Sequence, residues 1–424
     1  MLIQITIGNF LSFKDPITFS MVASSIKEHE NSNVFLINGK VRLLKSAVIY
    51  GANASGKSNF FKAMAFFRNF ILTSSKGTPA TDEIKVTNFK LSTETENKPS
   101  LFEIVFLHEG IRYRYGFQVD KKEVHKEWFY YAPKRQEAKL FIREGSNIEI
   151  GSYYKEGKGL AEKTRNNALF LSVVAQFNGQ ISLKIINWFT KFNIISGLDD
   201  INYLRYTVNQ AHNEEVKKEI LNFLRISDLG IENILIEEEK MNRESLPKDM
   251  PDVIKGLFPA GQILGIKIKC MHRKFDADKN HFSFENLDFG SEESEGTKKL
   301  FSLSGPLLDT FKNGKILLID EFDSRLHPLI TDFLVKLFNS AENRNNAQFI
   351  FASHDTNLFR RDFFRRDQIW FTEKDKYGAS DLYSLVEYIM EKGKVRNDAS
   401  YGKDYILGKY GAIPFLGDPK LLFK

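Results

Sequence analysis

The sequence predicts an α/β fold whose mostly parallel sheet is split between the two ends of the chain, with an antiparallel β-meander lobe and a helical lobe inserted between them. Residues 46–64 read as a strand, a glycine-rich loop and a helix, and strand and helix signals alternate again after about residue 285. Such alternation is typical of a parallel sheet, because each crossover between its strands usually carries a helix. From about 83 to 150, apolar and polar residues alternate, which predicts antiparallel strands that form a sheet with one solvent-exposed face.

The composition is that of a folded protein with several lobes. The chain has 424 residues, of which 42% are hydrophobic, so it is too long for one compact core and too apolar for global disorder. Its net charge of +6 permits a nucleotide or nucleic-acid surface without requiring one. The single cysteine, Cys270, excludes an internal disulfide framework. No signal peptide or membrane-spanning stretch is recognisable, so we expect a cytoplasmic protein without membrane contacts.

The first segment is predicted to deliver a strand into the parallel sheet. Apolar residues alternate over 2–7 and return at Phe10 and Phe13, which predicts two short strands. After a polar, irregular stretch, Ser46–Tyr50 reads as a buried strand, and helical spacing continues after the glycine-rich loop as far as Ile71.

The glycine-rich loop Gly51–Ser58 matches the Walker A pattern GxxxxGKS. Glycines let backbone N–H groups approach phosphate oxygens, and the following helix N-terminus adds partial positive charge. Lys57 is expected to reach the β- and γ-phosphates of ATP as a catalytic cation, and the Ser58 hydroxyl to bind Mg²⁺. The residues expected to hold the nucleotide here are Gly51, Asn53, Ala54, Ser55, Gly56, Lys57, Ser58 and Asn59.

The middle of the chain changes its pattern twice. After the meander, residues 165–260 are predicted to be largely helical, since apolar residues such as Ile220 and Leu224 share one helix face. No heptad pattern persists, so a long coiled coil is not expected. Strand signals return at 266–271 and 281–284. The aromatic side chains of the meander are interpreted as packing residues rather than base-stacking ones.

The segment Lys315–Glu321 matches a Walker B strand, four apolar residues that end in two carboxylates. Ligands of open α/β sheets bind at this C-terminal edge. Asp320 is expected to hold Mg²⁺, and Glu321 to polarise the attacking water as the general base. A second buried strand, Gln348–Ala352, leads to His354, which is predicted to contact the γ-phosphate or the attacking water. A purely structural histidine is the alternative.

A fourth pattern, Glu293–Leu300, stands before the Walker B strand at the start of a predicted helix. Together with the other three it resembles the signature motif of ABC-type ATPases. In that superfamily the signature of one subunit closes over the γ-phosphate bound to the P-loop of another, which implies nucleotide-binding roles for Ser294 and Gly296. Glu295 stands where the family has a glycine. A carboxylate there is expected to repel the nucleotide unless it points outward.

These patterns, the opening Gly8–Phe13, and the segments Leu326–Pro328 and Tyr410–Pro414 together resemble one bacterial group. It is the OLD-like, RloA/AbiL-type family of AAA ATPases within the ABC/SMC branch. The resemblance implies a split ABC/SMC-like P-loop ATPase head that binds ATP and Mg²⁺ and forms a homodimer or higher homo-oligomer. Family members often serve anti-phage modules such as abortive-infection, Septu and PARIS systems. Their partner is a separately encoded effector, such as a TOPRIM or HNH nuclease or a toxin. The implied trigger is DNA or a phage protein.

Two further positions are carried over from the superfamily. Gln176 is predicted to be the Q-loop glutamine that contacts Mg²⁺, because 169–175 before it reads as a strand; an ordinary polar residue at a helix start is equally compatible. Asp323 falls in the D-loop and is predicted to contact the partner subunit. The basic and aromatic run Arg360–Arg366 suggests either a DNA surface or, more commonly, a solvated amphipathic segment.

The predicted division of the chain is an N-terminal part of the core over 1–80, a β lobe over 81–164, a helical or mixed insertion over 165–284 and a C-terminal part of the core over 285–424.

The sequence leaves three other functions open. They are a DNA-repair head of the RecF or SMC kind that acts directly on DNA, the nucleotide-binding subunit of a membrane transporter, and a slowly hydrolysing structural ATP clamp.

Overall fold

The computed structural model describes residues 1–37, 39, 41–76, 79, 81–198, 201–242, 262–390, 393–396 and 399–414. The chain forms two compact units. The first comprises Met1–Leu198, Asp309–Ser324 and Pro328–Lys424, and the second comprises Asp199–Leu308 and Arg325–His327. The predicted domain boundaries remain a prediction.

The strands, numbered along the chain, are β1 Leu2–Gly8, β2 Ile17–Ser20, β3 Val34–Ile37, β4 Val41–Leu44, β5 Ser46–Gly51, β6 Ser100–His108, β7 Ile111–Val119, β8 Val124–Ala132, β9 Ala138–Glu144, β10 Asn147–Ile150, β11 Phe192–Ser196, β12 Ile231–Asn242, β13 Gln262–Phe275, β14 Phe282–Asp288, β15 Ile316–Asp320, β16 Gln348–Ala352, β17 Ile369–Lys374, β18 Ser380–Ser384, β19 Ile389–Met390 and β20 Gly393–Lys394. The helices are α1 Glu30–Asn33, α2 Lys57–Thr73, α3 Phe170–Gln176, α4 Gln180–Phe189, α5 Ile201–Ala211, α6 Glu214–Ile226, α7 Glu295–Asn313, α8 Pro328–Phe338 and α9 Tyr401–Ile406.

The central sheet of the first unit has the strand order β11-β15-β16-β5-β17-β18. All neighbouring pairs are parallel except β17 with β18. The predicted split parallel sheet is therefore confirmed, since β5 comes from the N-terminal part of the chain and β15 to β18 from the C-terminal part. β11 lies inside the stretch predicted to be helical, so that prediction is wrong for these five residues.

The second sheet of this unit is antiparallel, with the order β10-β9-β8-β7-β6-β1-β2. It confirms the meander and extends it by the first two strands. The P-loop helix α2 packs against it: the Phe67 ring lies 5.2 Å from Phe117 and 5.9 Å from Phe102, measured between ring centroids. These aromatic side chains are buried, which confirms their role in packing.

Two local strand predictions are wrong. Phe10 and Phe13 do not form a strand; they face each other across a tight turn, paired by backbone hydrogen bonds of 3.0 and 2.9 Å. The apolar run before Gln176 is the helix α3, because the buried carboxylate of Glu127 accepts the backbone N–H groups of Phe170 and Leu171 at its first turn. A short buried run has the same composition as a strand or a helix, and here a distant residue decides between them.

The second unit contains α5, α6, the sheet β12-β13-β14 and the first part of α7. The strands predicted at 266–271 and 281–284 are confirmed as parts of β13 and β14. Residues 231–242 were predicted to be helical and instead form β12, which pairs with β13 along its length. Gly230, with φ of 67°, separates this strand from α6. Among the helices of the described ranges, none has the length and apolarity that a membrane span requires.

Candidate functional site

The Walker A loop leaves the fully buried strand β5 and enters α2 through a constrained backbone. Gly56 has φ of 121°, a conformation that favours glycine. A Cβ atom on Gly51 would lie 2.5 Å from the Thr372 carbonyl oxygen, and one on Gly56 would lie 2.6 Å from the Ser380 hydroxyl. Both glycines are therefore required by the close approach of the β17–β18 hairpin.

Lys57 is buried, and its ammonium donates hydrogen bonds to the carbonyl oxygens of Gly51 at 2.8 Å and Ala52 at 3.0 Å. Burial lowers its pKa to about 8, and the carboxylates of Asp320 and Glu321 oppose this shift. The lysine is thus held at the mouth of the loop by weak backbone acceptors, which an anionic phosphate can replace.

A cavity of about 810 Å³ opens over this loop. It brings together the Walker A residues, the Walker B glutamate and the predicted histidine. The residues that line it are Asn53, Ala54, Gly56, Lys57, Ser58, Asn59, Glu321, His354 and Lys374. Sequence positions from both ends of the chain therefore share one cavity, although their catalytic roles remain predictions.

Asp320 ends β15 with one carboxylate oxygen, Oδ1, that is buried and has no hydrogen-bond partner among the described residues. An unpaired buried carboxylate oxygen fits a cation ligand. Mg²⁺ typically takes one or two protein carboxylates together with substrate phosphates and water. Asp320 and Ser58 are the residues that would hold Mg²⁺, and the ion would neutralise charge on the phosphates when bound.

The Walker B end carries backbone constraints of its own. Glu321 has φ of 53°, a left-handed conformation that costs a non-glycine residue about 1–3 kcal/mol and is common at active sites. A Cβ on Gly197 would collide with the carbonyl oxygens of Asp320 and Glu321, and the Gly197 N–H donates to Asp320 O at 2.7 Å. The loop after β11 therefore supports the two carboxylate residues from beside β15.

His354 follows β16, the neighbour of β15 in the sheet. Burial and the nearby charge of Lys57 lower the pKa of its imidazole, which favours the neutral ring. Its backbone N–H lies 3.3 Å from Asp323 Oδ2. Asp323, predicted to touch a partner subunit, thus also contacts the loop of its own chain that carries the histidine.

The remaining predicted residues lie elsewhere. Gln176 is exposed at the end of α3 and does not line the cavity, so the observation on which its Q-loop role depended, a preceding strand, is absent. Ser294 and Gly296 belong to the second unit. There the Ser294 hydroxyl accepts the Thr297 N–H at 3.1 Å at the start of α7.

Glu295, the residue that departs from the signature pattern, points into solvent. Its side chain is 63% exposed and forms ion pairs with Lys298 at 2.9 Å and Arg325 at 3.4 Å. These cations lower the pKa of the carboxyl group, the hydrogen bond from Lys298 most strongly. The negative charge that was expected to repel a nucleotide is therefore offset by two positive side chains.

The basic and aromatic run is divided between exposed and buried residues. Arg365 is buried and bonded to Asp367 at 2.8 Å, and Arg366 pairs with Glu28 at 2.8 Å. Phe363 and Phe364 are also buried. Residues 363–366 are therefore internal structure, whereas Arg360, Arg361 and Asp362 are exposed, as a solvated segment would be.

Sequence reasoning missed Lys374, Thr372 and Ser380, which the β17–β18 hairpin brings to the Walker A loop. The Thr372 hydroxyl lies 2.6 Å from that of Ser55, and the Ser380 hydroxyl donates to Ser55 O at 2.6 Å. These residues belong to no recognisable motif. Only the pairing of β17 with β5 indicates them.

Comparisons with known proteins place this chain in a family. No match is found among curated protein sequences. Similar solved structures include the SMC head domain from Thermotoga maritima, at 13% identity, 90% coverage of this chain, 98% of that chain and a TM-score of 0.40. Another is the Smc head with a coiled coil and joint from Pyrococcus yayanosii, at 12% identity, 91% and 97% coverage and a TM-score of 0.42. A family model described as "AAA domain, putative AbiEii toxin, Type IV TA system" matches residues 46–360, the greater part of the chain, so the protein belongs to this family of AAA-type ATPase domains.

Proposed function

We propose that this chain hydrolyses ATP with Mg²⁺ as an ABC/SMC-like ATPase that dimerises around nucleotide and controls a separate effector in anti-phage defence. The observation that carries the proposal is the cavity in which Lys57 and Ser58 face Glu321 and His354. Such a cavity offers a phosphate cradle and a general base, and Asp320, the residue before Glu321, would add a cation ligand.

The chemistry follows from the roles that each side chain can fill. The P-loop N–H groups and Lys57 bind the β- and γ-phosphates, which gives the triphosphate its orientation. Glu321 accepts a proton from the water that attacks the γ-phosphorus. His354 hydrogen-bonds the γ-phosphate or this water and so responds to loss of the terminal phosphate.

Dimerisation completes the proposal. Ser294 and Gly296 of one subunit would close over the nucleotide of another, and hydrolysis would open the dimer. Because a ligand shifts a conformational equilibrium only through its different affinities for the two states, ATP and ADP would set the fraction of closed dimer. The effector that responds to the closed or open dimer would be a nuclease, such as a TOPRIM or HNH enzyme, or a toxin. The trigger would be DNA or a phage protein.

Substitution of the general base tests the proposal. Glu321→Gln is expected to retain ATP binding, to lower hydrolysis by at least about 100-fold and to accumulate as an ATP-bound dimer. Turnover by phosphate release and mass by light scattering measure the two effects. Glu342→Gln, on an exposed loop outside the cavity, is the matched control and should behave as wild type. Wild-type turnover in Glu321→Gln would show that another group is the base.

A further inference from the structure

We propose that Lys374 is a nucleotide-binding residue that contacts the α-phosphate of the nucleotide held by the Walker A loop. This inference rests on the proposed function, because it assumes a nucleotide in that cradle. It adds a residue that belongs to none of the four sequence patterns. The argument depends on strand order, on the rigid attachment of the β17–β18 hairpin and on the charge of the cavity.

Strand order sets the two sides of the cavity. β5, which leads into the Walker A loop, lies between β16 and β17. Glu321 and His354 come from β15 and β16 on one side, and Lys374 ends β17 on the other. A triphosphate whose γ-phosphate faces Glu321 must extend its α-phosphate and nucleoside away from β16, and therefore toward the side from which Lys374 enters the cavity.

The hairpin that carries Lys374 is attached to the Walker A loop itself. Thr372 pairs with Gly51 in the parallel ladder, and its hydroxyl contacts the Ser55 hydroxyl at 2.6 Å. On the opposite strand Ser380, the antiparallel partner of Lys374, donates its hydroxyl to Ser55 O at 2.6 Å. The backbone of Lys374 is thus fixed relative to the phosphate loop, which reduces the ordering that binding requires.

Charge favours a phosphate as the group that Lys374 contacts. The side chain is exposed to the cavity, and within the described part of the chain no carboxylate forms an ion pair with it. Lys57 lies in the same cavity and contacts the loop carbonyls. Two ammonium groups that line one cavity complement a polyphosphate better than a neutral ribose or base.

The experiment measures equilibrium binding of ATP, ADP and inorganic tripolyphosphate to the full chain by calorimetry, together with steady-state ATP hydrolysis. Lys374→Ala is expected to raise the Kd for all three ligands by about tenfold, because each places a phosphate at the α position. The kcat should change less than about twofold, since the contact is equal in ground and transition states. Lys374→Arg should restore most of the affinity.

Lys376→Ala is the matched control, because Lys376 lies on the same hairpin over the Tyr377 ring and outside the cavity. It should bind all three ligands as wild type does. The inference is overturned if Lys374→Ala leaves every Kd unchanged, if ADP alone is spared, which would indicate a γ-phosphate contact, or if tripolyphosphate alone is spared, which would indicate a nucleoside contact. Failure of the wild-type chain to bind ATP would instead overturn the proposed function.

Discussion

At the scale of single residues, the Walker A lysine should make the affinity for nucleotide depend on pH. Lys57 is buried against carbonyl oxygens, and its pKa is lowered to about 8. Phosphates favour the ammonium form, so nucleotide binding raises this pKa again. Above pH 8 the chain without nucleotide has lost the proton, and binding must take one up; below pH 8 the proton is already present.

We therefore expect the Kd for ATP to be nearly constant below pH 8 and to rise by about tenfold per pH unit above it. Calorimetry at pH 8.5 in buffers of different ionisation enthalpy should report net proton uptake. In Lys57→Arg the guanidinium stays charged, so binding should be weaker but independent of pH over the same range. A flat profile in the wild type would show that Lys57 remains protonated without nucleotide.

At the scale of secondary-structure elements, a buried charge determines a helix. Glu127 on β8 is fully buried, accepts the first N–H groups of α3 and also accepts the Tyr115 hydroxyl at 2.9 Å. The buried Arg143 guanidinium lies 3.8 Å away. Burial raises the pKa of the Glu127 carboxyl group, and Arg143 and the helix N–H groups oppose that shift. The antiparallel sheet and α3 are therefore joined by one polar network.

Glu127→Ala should lower the free energy of unfolding by about 3–5 kcal/mol, because it leaves the Arg143 charge and the helix N–H groups buried without this acceptor. Urea denaturation followed by tryptophan fluorescence measures the change. The control is Glu144→Ala on β9, which removes an exposed ion pair with Lys126 on β8. It should lower the free energy of unfolding by less than about 1 kcal/mol. Equal effects of the two substitutions would contradict a special role for the buried carboxylate.

At the scale of the whole molecule, the proposed active site divides between two copies of the chain. The Walker A and B residues lie in the first unit, and the signature residues Ser294 and Gly296 lie in the second. Glu295 is turned toward Lys298 and Arg325, so the signature region has no uncompensated negative charge from this residue. A composite site of this kind requires an assembly in which each subunit supplies one part.

Mixing two inactive variants tests this division. Lys57→Ala and Ser294→Arg should each abolish hydrolysis alone. A mixed dimer retains one site with an intact Walker A lysine and an intact signature, so an equimolar mixture should recover about a quarter of wild-type activity if subunits exchange randomly. Absence of recovery, with mixed dimers demonstrated by mass, would indicate that each site is complete within one chain.

Part of the site and of the fold can be predicted from the sequence alone, and part cannot. That Lys57, Ser58 and Glu321 share one cavity was predictable, because phosphate and Mg²⁺ chemistry demands particular side chains at fixed spacing from a strand end. The meander and the late strands were predictable from their period-two or apolar patterns. By contrast, β12 and β11 escaped prediction, since each is stabilised by a strand distant in sequence.

The sequence by itself determined the phosphate loop, its carboxylate partners and the mostly parallel sheet that joins them, because local spacing encodes each of these. Tertiary structure alone decided that the run before Gln176 is a helix, that Arg365 is internal and that Lys374 lines the cavity over the Walker A loop. The physical reason is the same in all three cases, because each deciding contact joins groups that are distant in sequence. These contacts are Glu127 with α3, Arg365 with the backbone oxygens of Ser24 and Glu28, and β17 with β5.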